Sequence, residues 1–171
     1  MSGKLFPEFL LAFPLVALVA GCGRSGSTTA TIPTPDELTL YAIDGVVNPP
    51  TSFASDAKHF RGYEILGKVE ITDPQSRREI MTAVLAGISE SDGTVASCFW
   101  PRHGVRVVTD GKAVDYVICY ECLQAYIFSE GGQTWERTAS AHQAILTDRL
   151  TAAGIKLAPS VEEKIKKLPK N

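Results

Sequence analysis

Cys98, His103, Cys119 and Cys122 bring three thiols and an imidazole into one short stretch, CFWPRHGVRVVTDGKAVDYVICYEC, and these are side chains suited to chemistry. Four chemistries compete for them. In an oxidising compartment neighbouring cysteines pair, and Cys98–Cys122 is the candidate disulfide. Cys98, His103, Cys119 and Cys122 also have the donor types of a tetrahedral zinc site. Cys119 and Cys122 have the common two-residue gap, but Tyr120-Glu121 and Leu123 lack the glycine that lets a zinc knuckle turn. A redox pair Cys119-Tyr120-Glu121-Cys122 belongs at a helix N-terminus, where the dipole favours thiolate; here it lies on or beside a strand, with Glu121 opposing it. The fourth reading is three inert core cysteines, since free cysteine packs as a small buried hydrophobe. Covalent haem attachment needs histidine directly after the second cysteine, and Leu123 stands there. No cofactor is predicted beyond a possible zinc ion.

The elements that position these residues start from Asp110-Gly111. Both residues tolerate positive φ, which suits the tight type I′ turn between two alternating apolar runs. Counting outward, Thr109 faces Lys112, Val107 faces Val114, Val105 faces Tyr116 and His103 faces Ile118, with this face turned to the core. On the other face Arg106 opposes Asp115, an expected cross-strand ion pair worth ~0.2–1 kcal/mol. The same face pairs Arg102 with Cys119. The register brings Cys98 towards Cys122, although Pro101 has no N–H for the ladder. The second strand reads on to Phe128, too long for one straight strand, so a bulge or bend is expected at Cys119–Cys122.

Arg102-His103-Gly104-Val105-Arg106 resembles the RHGxR core of histidine phosphatases. The resemblance implies His103 as a phosphorylated nucleophile, with Arg102 and Arg106 as phosphate ligands. Val108 replaces the proline of that pattern, and His142 is followed by Gln143 where the family has an acidic partner. The wider Cys-Phe-Trp-Pro-Arg-His-Gly run is similar to patterns in uncharacterised exported bacterial proteins, which carry no function.

Residues 1–21 have the grammar of an export leader: Lys4, then an apolar run from Phe9 to Ala20, interrupted by Pro14 and too short to span a bilayer. Val19-Ala20-Gly21-Cys22 resembles the lipobox of bacterial lipoproteins. That resemblance implies cleavage before Cys22, acylation of its sulfur and residence in the cell envelope. Gly23, where aspartate would hold a lipoprotein at the inner membrane, makes the outer membrane the preferred destination. Several acyl chains suffice for stable attachment to the lipid bilayer. Residues 22–37 then form the lipidated cysteine and a Gly/Ser/Thr/Pro-rich tether with a coil span of ~20 Å.

Residues 38–171 are expected to fold as one α+β domain, an antiparallel sheet (meander) with two main helices on one face. Leu38–Ile43 and Tyr63–Ile71 are strand candidates, separated by a long loop over 46–62. Asp73-Pro74 opens a helix as N-cap and first residue, with Ile80, Met81, Val84, Leu85 and Ile88 as its stripe. Thr134–Thr138 is a further strand. Ser140 with Gln143 resembles a capping box for a helix through Leu150 that ends at Gly154, and Ser160 with Glu163 is a second box. Trp100, Tyr120, Tyr126 and Trp135 are core or recognition aromatics. A net charge of −2 gives no electrostatic case for nucleic acid. The partner is therefore expected to be an envelope protein or a small ligand, and the module a non-enzymatic one.

Overall fold

The computed structural model describes residues 32–45, 50 and 52–167. The leader, Cys22 and most of the tether lie outside these residues. The elements run β1 (Glu37–Asp44), β2 (His59–Phe60), β3 (Tyr63–Glu70), α1 (Pro74–Ser89), β4 (His103–Thr109), β5 (Lys112–Cys119), β6 (Gln124–Ser129), β7 (Gly132–Arg137), α2 (Gln143–Ala152) and α3 (Val161–Lys167). The fold is α+β. Its strands make one curled antiparallel sheet in the order β2-β3-β1-β4-β5-β6-β7.

The central hairpin has the register counted from its turn, from Thr109↔Lys112 through Arg106↔Asp115 to His103↔Ile118. Asp110 and Gly111 take φ of 50° and 73°, the type I′ conformation that matches the twist of the ribbon. β1 lies between β3 and β4, and it is apolar on both sides because each of its faces meets a buried cluster. Leu38, Leu40 and Ala42 join Val105, Val107, Tyr116 and Ile118 in one buried cluster with Ile80, Met81 and Val84 of α1 and Leu146 and Leu150 of α2. Tyr41 and Ile43 point the other way, into a second cluster with Phe60, Tyr63, Val117 and Phe128. The hairpin face that carries Arg106 and Asp115 is thus covered too.

Four details depart from the sequence expectations. The 46–62 stretch contains a two-residue strand, β2, whose Phe60 pairs with Tyr63 around an Arg61-Gly62 turn. β5 does not continue past Cys119; residues 120–123 turn, and β6 comes back antiparallel with Cys119 opposite Gln124. Leu123, at φ 57°, supplies the left-handed step of that turn. Ser140 does not cap α2 with its side chain, because the helix starts from His142, which makes no side-chain cap bond. The ordered body also reaches back into the stretch read as tether. Ile32 packs on the first cluster, and Thr34 Oγ1 accepts from Arg78 Nη2 at 2.6 Å.

Other local expectations agree with the structure. Asp73 Oδ2 accepts from Ser76 N at 2.7 Å ahead of Pro74, and Ser76, through its side chain first and this N–H second, holds the Asp73 carboxyl below its ordinary range. Ile155 N donates to Leu150 O across the end of α2, and Ser160 and Glu163 exchange both bonds of a capping box.

Gly104 marks a close approach of β4 to the second cluster. A Cβ there would lie 2.6 Å from Phe60 Cδ1 and 3.2 Å from Tyr41 Cβ, and Phe60 is fully buried and stacked on Tyr41 at 4.3 Å. Gly104→Ala is expected to displace the Phe60 ring and cost about 1–3 kcal/mol in urea unfolding. A change within about 0.5 kcal/mol would mean that the ring can move without loss.

Candidate functional site

The β5–β6 turn and the segment before β4 bring all three body cysteines together. The turn bridges Cys119 to Cys122, with Cα atoms 5.2 Å apart. The disulfide is therefore not Cys98–Cys122. The straight-strand register put Cys119 and Cys122 on opposite faces, but the chain reverses between them and folds one sulfur onto the other. Cys98 is free and only half-buried, and its Sγ lies 3.2 Å from Cys122 Sγ. Trp100 N donates to Cys122 Sγ at 3.4 Å and Cys122 N to Cys119 Sγ at 3.2 Å.

Sequence reasoning passed over Gln124, which holds this arrangement. Its buried amide donates to Cys98 O at 3.0 Å and also to Ala96 O and Cys122 O, while its Oε1 accepts from Trp135 Nε1 at 3.1 Å. Ala96 N donates to Cys122 O at 3.1 Å, closing the seam from the backbone. A glutamine inside a strand carries no sequence signature of such a clamp. Only its burial at the first residue of β6 reveals the role.

His103 is held by Thr147 of α2 and by Tyr120. It is 1% exposed, its Nε2 lies 3.0 Å from Thr147 Oγ1, and its ring meets Tyr120 edge-on at 5.3 Å. Burial, helped by the positive charge of Arg102, pushes its pKa down to about 3, so the ring is neutral at physiological pH. Among the described residues its Nδ1 and the Tyr120 hydroxyl have no hydrogen-bond partner. With Cys119 and Cys122 bridged, two of the four proposed zinc donors are not thiolates. Among the described residues no group of three or more His, Cys, Asp or Glu side chains is placed to hold a metal ion.

The two arginines of the RHGxR run do not converge on His103. Arg102 donates to Ala158 O at 2.7 Å and pairs with Glu121 at 2.7 Å. Arg106 lies on the opposite face of β4 and grips Asp115 with two bonds of 2.8 Å. The expected Arg106–Asp115 pair is present but incomplete as the sequence drew it. Asp115 is fully buried, and Arg61 Nε also donates to it at 2.7 Å. Those bonds hold the Arg106 pKa above its ordinary value against partial burial.

Around this ion cluster the second face carries rings. Phe99 meets Tyr126 edge-on at 4.6 Å, Phe53 lies 5.4 Å from Phe128, and the Arg61 guanidinium sits 4.7 Å over Phe128. Trp135 pairs across the ladder with Tyr126, is 39% exposed and is covered on one side by Arg137 at 5.3 Å. Phe53, Phe99 and Tyr126 are half-buried. Tyr120, by contrast, belongs to the first cluster. Searched against family models, curated proteins and solved structures, the chain matches none.

Proposed function

We propose that this chain is a cell-envelope lipoprotein, anchored through acylated Cys22 with the outer membrane as its destination, whose body is a non-enzymatic binding or interaction module. The order of leader, small residues and cysteine in Val19-Ala20-Gly21-Cys22 supports the anchor. We place α1 and α2 on one face of the sheet, in keeping with their shared core residues, and assign recognition to the rings that stay partly exposed beside the second cluster on the other face. The observation that carries the module reading is the half-exposed group of Phe53, Phe99, Tyr126 and Trp135, flanked by Arg61 and Arg137. Aromatic rings and arginine are the residue types enriched where proteins contact partners. The partner is an envelope protein or a small ligand.

The test has two arms. Palmitate incorporation into the native chain is expected to vanish in Cys22→Ser; labelling that persists, or an intact leader on the purified protein, overturns the anchor. Crosslinking in intact cells is expected to recover a defined partner whose yield falls at least about tenfold in Trp135→Ala, the loss expected of an interface hot spot, while stability changes little. An unchanged yield overturns the use of this face.

A second reading, a thiol-dependent envelope protein, is favoured by the contact between the free Cys98 sulfur and a bridged one. One free thiol per chain and no bound zinc excludes the metal form of this rival and supports the module reading. Three thiols with one zinc replaces it by the metal reading.

A further inference from the structure

We propose that Cys98, Cys119 and Cys122 form an exchangeable three-sulfur relay that carries a buried disulfide to the surface, where an external thiol can reach it. The proposal rests on the thiol-dependent reading and assigns the site a substrate class: small thiols or accessible cysteines of other exported proteins. Three observations bear on it. Cys119 and Cys122 are 1% and 0% exposed, so an external thiol has no path to the bridge while the body is folded. Cys98 is half-exposed and already in van der Waals contact with Cys122 Sγ at 3.2 Å. The Gln124 amide pins the Cys98 carbonyl beside the Cys122 carbonyl, so the contact is held by the fold.

The exchange needs no oxidant or reductant. Cys98 gives its proton to water, its thiolate forms a bond to Cys122 Sγ, the Cys119–Cys122 bond breaks, and Cys119 leaves as a thiolate that takes a proton from water. One disulfide and one thiol are present before and after. The new bridge, Cys98–Cys122, has one sulfur at the surface. An external thiolate can then attack Cys98 Sγ, releasing Cys122 as a thiol and leaving a mixed disulfide at Cys98. A second external thiol resolves that bond. The external pair leaves oxidised by two electrons, and the chain is left with three thiols.

The experiment uses the full chain, extracted from membranes in detergent, with dithiothreitol as the probe thiol. Cys98→Ser removes the relay and keeps the shape, and is expected to slow reduction of the bridge by at least about tenfold, because the direct route then waits for local opening. A rate equal to that of the unmodified chain overturns the relay. Cys119→Ala provides a readout that does not depend on how Cys98→Ser folds. After equilibration with glutathione disulfide as the two-electron oxidant, it is expected to contain a Cys98–Cys122 bridge by alkylation and peptide mass mapping, whereas free thiols at both positions overturn the proposal. The underlying reading fails separately: an unmodified, untreated chain with three thiols and bound zinc removes the bridge itself, while one free thiol with an unchanged Cys98→Ser rate removes only the exchange.

Discussion

Asp115→Ala is expected to destabilise the body by about 3 kcal/mol, the low end of what breaking a buried ion cluster costs when partner charges are left behind. The fully buried carboxylate holds two guanidiniums, and their own exposures of 26% and 35% allow water to recover part of the loss. The surface estimate for an isolated Arg106–Asp115 pair, under about 1 kcal/mol, does not apply, because desolvation and the third bond change the case. The substitution should also have a local signature. Arg61 holds φ at 49°, a conformation that disfavours a side chain, and its guanidinium is fastened to Asp115. Without the carboxylate the 52–62 segment should loosen, with faster amide exchange at Gly62 and Ile65, whose N–H groups bond to Ala54 O and Lys58 O. Urea midpoints give the global number. A loss below about 1 kcal/mol would mean that the cluster behaves as an exposed pair.

Those same residues show which parts of the fold could be read in the chain. The central hairpin was legible because its information is local: two turn residues with matching φ preference and side chains that alternate. The Asp73-Pro74 helix start was legible for the same reason. The Phe60–Tyr63 hairpin was not, although its turn also has two positive φ values, 49° and 82°. Arginine is not a residue that announces such a turn, and what holds it there is a carboxylate 54 positions away in sequence. The sulfur site failed in the same way. The three cysteines were visible and were expected to be close, but the pairing depended on whether β5 ran straight or reversed. The reversal rests on Leu123 in a left-handed conformation and on Gln124 clamping a distant loop. A two-sided buried sheet was likewise hidden, since Arg106 and Asp115 look like solvent-facing residues until Arg61 and the aromatic cluster cover them.

His103 leads to the largest pH effect expected of this body. In the unfolded chain its imidazole binds a proton below about pH 6.5, whereas the folded, buried ring resists protonation until about 3. Between those values the unfolded state holds one more proton, so stability falls as pH falls, at ~1.4 kcal/mol per pH unit for this one group. The full window amounts to several kcal/mol, comparable to the whole stability of a typical domain. The carboxylates of Asp56, Asp92 and Glu163, held low mainly by hydrogen bonds from nearby N–H groups, and that of Asp73, held low first by the Ser76 side chain, act in the same direction in acid, so the raw curve mixes causes. Their loss follows protonation of carboxylates that titrate near 4 when unfolded, so it falls below the interval from pH 6.5 to 5, and within that interval comparison with a His103 variant separates His103 from His59 and His142, which sit beside Asp56 and Glu90. His103→Gln keeps an amide that can face Thr147 Oγ1 and has no proton to gain. The readout is the slope and not the unfolding free energy at neutral pH: between pH 6.5 and 5 it should be flatter than the parent's by about one proton. Equal slopes would place water against His103 in the folded state and would remove the case for a sealed imidazole beneath the RHGxR run.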